Sequence, residues 1–292
     1  MNIGIIGAEN SHCAGVAKTL NLDQLVPGFR VTHVWGETRE FAEKAAEKGG
    51  IPNIVDNQTD MLGHIEGLMI DHRDGKHHLP AARPFVAAGV PVFVDKPFST
   101  DLDEGIELAR FAKSKGVPVA TFSTITLQKT MLEFFAAAKQ VGELRTLVMA
   151  GPCDVDDKYG GVFFYAIHQV EPICQLLASR PRQVMTARHG ADGVATVTFE
   201  SGAAAVINCH KDWWVPAYFS ATAYGSENVH HAALQGDDNP YLAGIHCWAE
   251  MFATGKEPRA PQDYLTPIAV LQAMRESFAT GKTVAVKPVP DI

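Results

Sequence analysis

The sequence as it opens has little of what marks the leader of a secreted protein. It opens MNIGIIGAENSH, where an apolar strand begins at once and no basic segment or small-residue cleavage site precedes it, so no signal peptide is expected. No apolar run is long enough to span a bilayer. Basic residues are in deficit, with 25 Lys and Arg against 33 Asp and Glu and a formal net charge of −8. That balance excludes the cationic surface that neutralises nucleic-acid phosphates and leaves a small molecule as the expected partner. The five cysteines are odd in number, widely spaced and free of C-x-x-C, which excludes a disulfide framework and a thiolate zinc site. Reduced, buried thiols in a cytoplasmic protein are expected. H-E-x-x-H and H-x-H are also missing, and the neighbours His77-His78, His230-His231 and His246-Cys247 cannot both face one ion from a regular helix or strand. No metal site is expected. Repeats, low-complexity tracts and long charge runs are absent too.

What is present is enough apolar sequence, 46% of 292 residues, to build more than one core, so two domains are expected. From Asn2 to Ser123, short apolar runs at Ile3 to Ile6, Val31 to Trp35, Gly67 to Asp71, Val90 to Val94 and Val117 to Phe122 alternate with helical patterns. That alternation predicts parallel strands joined by crossover helices. The helices fall around Ala14 to Leu20, Glu40 to Lys48, Leu79 to Ala88 and Leu102 to Lys115. Thr100 and Asp103 are spaced as a capping box for the last, and Pro84 predicts a kink or a late start in the third. After Ser123 the order changes. Helical patterns at Leu127 to Lys139 and Val162 to Leu177 precede two strands, Val194 to Glu200 and Ala203 to Lys211, joined by a Ser201-Gly202 hairpin. Helices follow at Tyr241 to Ala253 and Thr266 to Ala279, then a strand at Lys282 to Lys287. The expected fold is α/β: a Rossmann-type parallel-sheet dinucleotide-binding domain over residues 1–123, then an α+β domain with an open, largely antiparallel sheet over 124–292.

Ligands of an open parallel sheet bind beyond the carboxyl ends of its strands, so few loops need reading. The first, from Gly7 and Ala8 through Glu9, Asn10, Ser11 and His12, joins a strand to a helix start able to hold a pyrophosphate. Its second and third fingerprint glycines are replaced by Glu9 and His12. Glu9 is expected to face solvent, leaving Asn10, Ser11 and backbone N–H groups to make the contacts. After the second strand, Glu37 is placed to hold ribose hydroxyls, whereas Thr38 and Arg39 would greet a 2′-phosphate or, alternatively, Thr38 caps a solvated helix. NAD and NADP both stay open. His72 begins the third loop. The run VFVDKPF, a buried strand ending in Asp95, Lys96 and Pro97, places a cation where nicotinamide and substrate would meet. A desolvated lysine there has its pKa drawn toward neutrality and assists proton transfer. In the second half, Phe164, His168 and Glu171 share a helix face, making His168 a candidate acid/base with an acid one turn away. Tyr165 and Lys158 are candidates for substrate hydroxyls, and Trp213-Trp214 for an interface or sheet face.

These segments resemble the Gfo/Idh/MocA oxidoreductase family over nearly the whole chain. The carriers are GIIGAENSH, HLPAARPFVAAGVPVFVDKPFS, GGVFFYAIHQVEPI, TFESGAAAV, FATGKEP and ESFATGKTVAV. The resemblance implies an NAD- or NADP-dependent dehydrogenase of a sugar, polyol or related compound, and a homo-oligomer formed through the second-domain sheet. It places the family's Glu-Lys-Pro motif on Asp95, Lys96 and Pro97, its helix histidine on His168 and its third-crossover histidine on His78. The family's acid four positions before the helix histidine falls on Phe164, which cannot ionise. A nucleotide-binding regulator or inactive relative is the competing expectation, favoured by Phe164, Glu9 and His12. A metal-dependent hydrolase or lyase would require several histidines to converge.

Overall fold

The structure, a computed structural model, describes residues 1–213 and 219–292. Its first half runs β1 (Asn2–Ile6), α1 (Ser11–Asn21), β2 (Arg30–Trp35), α2 (Arg39–Gly49), β3 (Asn53–Ile54), β4 (Gly67–Ile70), α3 (His78–Ala87), β5 (Val92–Val94), α4 (Leu102–Lys115) and β6 (Val119–Thr121). The six strands are all parallel, in the order β3-β2-β1-β4-β5-β6, the doubly wound arrangement whose switch point lies between β1 and β4. Sheets covered on both faces need continuous apolar strands, and Ile3, Ile5, Ile6, Leu68, Ile70, Val92 and Val94 are all fully buried. The two-residue β3 lies at the edge, too short to carry a pattern in the sequence.

Two local expectations change. The cap of α4 is Asp101, whose carboxylate accepts from the N–H groups of Asp103 and Glu104; the Thr100 to Asp103 spacing is one residue off. Pro84 neither ends nor delays α3. The bond it cannot donate would go to the carbonyl of Pro80, an exposed residue.

The second half contains α5 (Lys129–Ala138), β7 (Leu144–Pro152), α6 (Val162–Tyr165), α7 (Ile167–Leu177), β8 (Pro181–His189), β9 (Asp192–Phe199), β10 (Ala204–His210), β11 (Phe219–Gly225), β12 (Val229–Leu234), α8 (Leu242–Thr254), α9 (Pro261–Thr280) and β13 (Val284–Ala285). Its sheet runs β12-β11-β7-β10-β9-β8-β13, antiparallel except for β7 beside β10. The hairpin from β9 to β10 turns at Ser201-Gly202 as expected, with Gly202 at φ 89°. The expected helix from Val162 to Leu177 is broken at Ala166 into α6 and α7. Strands β9 and β10 bury alternate residues, Ala195, Val197, Ala205 and Ile207. Their other face shows the partly exposed Val194, Thr196, Thr198, Val206 and Asn208. Helix α8 returns to the first sheet, where Trp248 and Phe252 pack with Ile3, Phe93 and Phe122. No helix among the described residues is long and apolar enough to cross a membrane.

Candidate active site

Gly7 makes the turn out of β1 possible. At φ 106°, a side chain there would place its Cβ 2.4 Å from the backbone of Asp71 and His72, so only glycine lets β1 and β4 exit side by side. The loop then meets Glu37 from the end of β2, whose Oε2 accepts from the N–H groups of both Ala8 and Glu9 at 2.9 Å. The other oxygen, Oε1, is buried with no partner. Glu9 does not face solvent as expected: its carboxylate accepts from the hydroxyl of Tyr159 in the second half of the chain. Ser11 is exposed at the start of α1, and that helix has no side-chain cap and no acid in its first turn.

Asn10 and His12 turn downward to the strand ends. Asn10 Nδ2 donates to Asp71 Oδ1 at 3.0 Å and to Asp95 Oδ2 at 3.4 Å, and His12 Nδ1 lies 3.1 Å from Asp95 Oδ2. Burial and the charge of Asp95 push the Asp71 carboxyl well above the usual carboxylate range. Burial acts on Asp95 in the same sense, but His12, Lys96 and His78 outweigh it and hold that carboxyl at about 2. Asp71 went unsingled in the sequence, although GLMID and VFVD are the same signal, a buried strand ending in an acid.

The Asp95-Lys96-Pro97 turn is pinned by His78, which is fully buried. Its Nδ1 lies 2.7 Å from the carbonyl of Pro97 and its Nε2 2.8 Å from that of His72. Lys96 is buried as well. Its Nζ donates to the carbonyl of Phe164 at 3.1 Å and sits 4.7 Å from the Phe164 ring and 5.2 Å from the Tyr165 ring. Burial lowers its pKa, against the pull of Asp95 and Asp71. The Phe164 that replaces the family's acid therefore receives Lys96 through its backbone oxygen and ring face.

Beside this cluster lies a cavity of about 150 Å³ lined by His12, Gln128, Tyr165, His168, Phe219 and Tyr241, among others. No Asp, Glu, Lys or Arg is among its described lining residues. His168 enters it from α7, with Nδ1 2.6 Å from the Ser123 hydroxyl. Burial and the nearby Lys96 charge hold its pKa well below the usual value, so the imidazole is neutral at pH 7, with Nε2 as its second polar atom. The expected pairing with Glu171 does not form. Glu171 accepts from the Ser123 N–H at 2.8 Å and forms an ion pair with Arg259, because the helix turn carries its carboxylate toward α9's approach and away from the cavity.

Thr38 caps α2, the alternative expected for it, its hydroxyl accepting from the Phe41 N–H, and Arg39 pairs with Glu43 and Asp56 at the surface. Lys158 is exposed, its Nζ over the Tyr159 ring at 4.6 Å, and is not in the cavity wall. Lys96 also stands behind Tyr165 and is not part of that wall. Trp213 stacks on His210 at 4.8 Å, and Trp214 lies outside the described residues. Tyr159, Arg259 and Gln128 belong to no motif and carry no signal in the sequence that would select them.

A dinucleotide has a recognisable seat here. Among the described residues, the buried side-chain atoms without partners, Glu37 Oε1, Asp71 Oδ2 and His72 Nδ1, all come from the carboxyl ends of β2 and β4. His72 is packed among Trp35, His77 and His78, and burial, with the neighbouring His78 and His77, lowers its pKa to about 3. A neutral His72 and the acceptor Glu37 Oε1 fit the hydroxyl-bearing part of such a ligand.

The fold is a doubly wound parallel-sheet domain followed by a mixed, largely antiparallel sheet domain. Residues 1–123 match the GFO_IDH_MocA model, described as an oxidoreductase family with an NAD-binding Rossmann fold. Among solved structures, myo-inositol 2-dehydrogenase from Lactobacillus plantarum superposes with a TM-score of 0.85 at 16% identity, covering 98% of this chain and 99% of that one. Scyllo-inositol dehydrogenase from Lactobacillus casei, with bound NAD(H) and scyllo-inositol, gives 0.84 at 13% identity over 98% and 99%. Myo-inositol dehydrogenase from the same organism, with NAD(H) and myo-inositol, gives 0.83 at 13% over 100% and 98%. At such identities the likeness establishes the shared fold of both domains. No curated protein matches the sequence.

Proposed function

We propose that this chain is an NAD(P)-dependent dehydrogenase that moves a hydride between the nicotinamide and a hydroxyl- or carbonyl-bearing carbon of a neutral sugar, polyol or related compound. The observation that carries this is a neutral His168 facing a cavity with no Asp, Glu, Lys or Arg among its described lining residues, with His12 of the dinucleotide loop in the same wall. Such a wall suits hydroxyl groups and disfavours phosphorylated or carboxylated substrates, which would need a cation opposite them. When bound, the nicotinamide supplies the hydride acceptor or donor. His168 accepts the hydroxyl proton, and its low pKa keeps it in the accepting form. Tyr165 and Tyr241 line the cavity on either side of the substrate position. Lys96 acts through Tyr165 and His168, its charge disfavouring the imidazolium. Glu37, Gly7, Ala8, Asn10, Ser11, His72 and Pro97 shape the cofactor crevice. A carboxylate at the ribose edge favours NAD over NADP by repelling a 2′-phosphate.

The compound class follows the wall chemistry and agrees with the inositol ligands named for the neighbouring structures. The open face of the second sheet, with Thr196, Thr198 and Val206, is proposed as the homo-oligomer contact, and the cytoplasm as the compartment. A second reading, a nucleotide-binding regulator or inactive relative, is favoured by one observation: Glu37 already takes the Ala8 and Glu9 N–H groups that a phosphate would use. Titration with NADH and NADPH, followed by reduced-cofactor fluorescence and thermal stability, separates the two. Saturable binding with turnover of a polyol supports the dehydrogenase, and absence of both supports the regulator.

A further inference from the structure

Three residues far apart in the sequence meet where β1, β4 and β5 end. His12 Nδ1 lies 3.1 Å from Asp95 Oδ2 and 3.8 Å from Asp71 Oδ1, and one ligand atom from each residue lies within 4.8 Å of the other two. Both carboxylates are withdrawn from water, Asp71 at 0% and Asp95 at 2% exposure. The nearest lysine, Lys96, has committed its ammonium to the Phe164 carbonyl. Asn10 gives its amide protons to the pair, which leaves Asp71 Oδ2 fully buried with no partner. Two carboxyl groups side by side and out of water cannot both stay ionised alone, so Asp71 keeps a proton unless a cation takes its place.

We propose that His12, Asp71 and Asp95 bind one divalent metal cation of the manganese or zinc kind. Imidazole with carboxylates suits those ions, whereas magnesium and calcium prefer all-oxygen shells. Metal–ligand bonds of about 2.0–2.2 Å set adjacent donor atoms roughly 3–3.6 Å apart, so the His12 distances need little adjustment and the remaining pair closes by a side-chain shift. The site has an entry path, because His12 is partly exposed and lines the cavity that also holds His168. Three protein ligands leave positions for water or a ligand oxygen on that side, the arrangement of an accessible metal site. Asn10 would then serve as the outer hydrogen-bond partner that orients the carboxylates.

The inference does not rest on the dehydrogenase reading, and its test is run without nucleotide or substrate. Chelator-treated protein is titrated with Mn2+, with free Mn2+ followed by electron paramagnetic resonance, and in parallel with Zn2+ by calorimetry. Thermal unfolding is recorded with and without metal. The expected result is one equivalent bound by the wild type, with a metal-dependent rise in Tm. His12→Ala and Asp95→Asn should each weaken binding by at least about tenfold and abolish the rise. His12 is partly exposed and also pairs with the buried Asp95, so His12→Ala should keep the circular dichroism spectrum of the wild type, and its Tm with metal is compared with its own metal-free Tm. Absence of saturable binding, or equal binding by His12→Ala, overturns the proposal. Binding of Mg2+ or Ca2+ with no response to Mn2+ or Zn2+ overturns the assignment of His12 as a ligand.

Discussion

The Ser123 hydroxyl lies 2.6 Å from Nδ1 of His168, and the backbone N–H of the same serine donates to Glu171 at 2.8 Å. One residue at the end of the parallel sheet thus connects the α7 histidine to the α7 acid, which do not meet each other. The arrangement fixes the imidazole plane and leaves Nε2 for the cavity, the second-partner role that sets tautomer and orientation in histidine sites.

His168→Ala should lower kcat by about 10²–10⁴, the usual contribution of a positioned acid or base, with little change in the NADH dissociation constant. Ser123→Ala should keep the proton acceptor but loosen it, lowering kcat by about tenfold, in the spirit of partners one step from a reacting group. Single-turnover hydride transfer and equilibrium cofactor titration check both. Equal losses of cofactor affinity and turnover in His168→Ala would make the histidine structural.

The pH behaviour has a fixed sign. Because burial and Lys96 depress the folded-state pKa of His168, the folded site stays neutral below pH 6.5 while the unfolded chain takes up a proton. Stability from this group is therefore present above about pH 6.5 and is lost as pH falls, at about 1.4 kcal/mol per pH unit. The pH–rate profile should be flat near neutrality, with its acid limb well below the ordinary histidine pKa. Lys96→Met removes a cation that opposes the imidazolium, so the limb should move to higher pH. An unmoved limb in that variant, measured as kcat/KM against pH, removes Lys96 from the electrostatics of His168.

Much of the first domain was legible because its strands are buried on both faces and read as unbroken apolar runs closed by loops rich in Gly, Asp and Pro. The second sheet was less so. Strand β8 is mostly exposed, and the middles of β11 and β12 are small or polar residues, Ser220 to Ala223 and His230 to Ala233, which carry little periodicity without their neighbours. At the site, the sequence exposed what a motif exposes, Asp95, Lys96, Pro97 and His168. It hid whatever depends on side-chain direction. Glu9 turns inward to Tyr159, and Glu171 turns to Arg259, a residue on a loop more than half the second domain away in sequence. Asp71 was hidden only by the lack of a motif around it.

Gly7 offers a test of the close approach that shapes the crevice. Gly7→Val combines a positive φ of 106° with a Cβ 2.4 Å from the Asp71 and His72 backbone. The conformational cost alone is about 1–3 kcal/mol, and displacement of the β4 exit adds to it. Urea denaturation should show a lowered midpoint with an unchanged m-value, and the soluble fraction should bind NADH at least tenfold more weakly. Wild-type affinity would show that the crevice does not depend on this contact.

The Glu171–Arg259 pair joins α7 to the segment that leads into α9, and it is largely withdrawn from water, with side-chain exposures of 4% and 16%. Burial pushes the Glu171 carboxyl up, against Arg259 and the Ser123 N–H that pull it down, so the carboxylate depends on both partners for its charge. Arg259→Met removes the cation and leaves an uncompensated buried acid, a change that costs about 3–5 kcal/mol in comparable pairs. Adding Glu171→Gln to that variant removes the stranded charge and should recover part of the loss, since the amide oxygen can still accept from Ser123. A double-mutant cycle by urea denaturation at pH 7 measures this. If the double variant is less stable than Arg259→Met alone, the stranded charge is not the source of the loss, and Arg259 contributes mainly through its second hydrogen bond, to Thr126 at 2.9 Å.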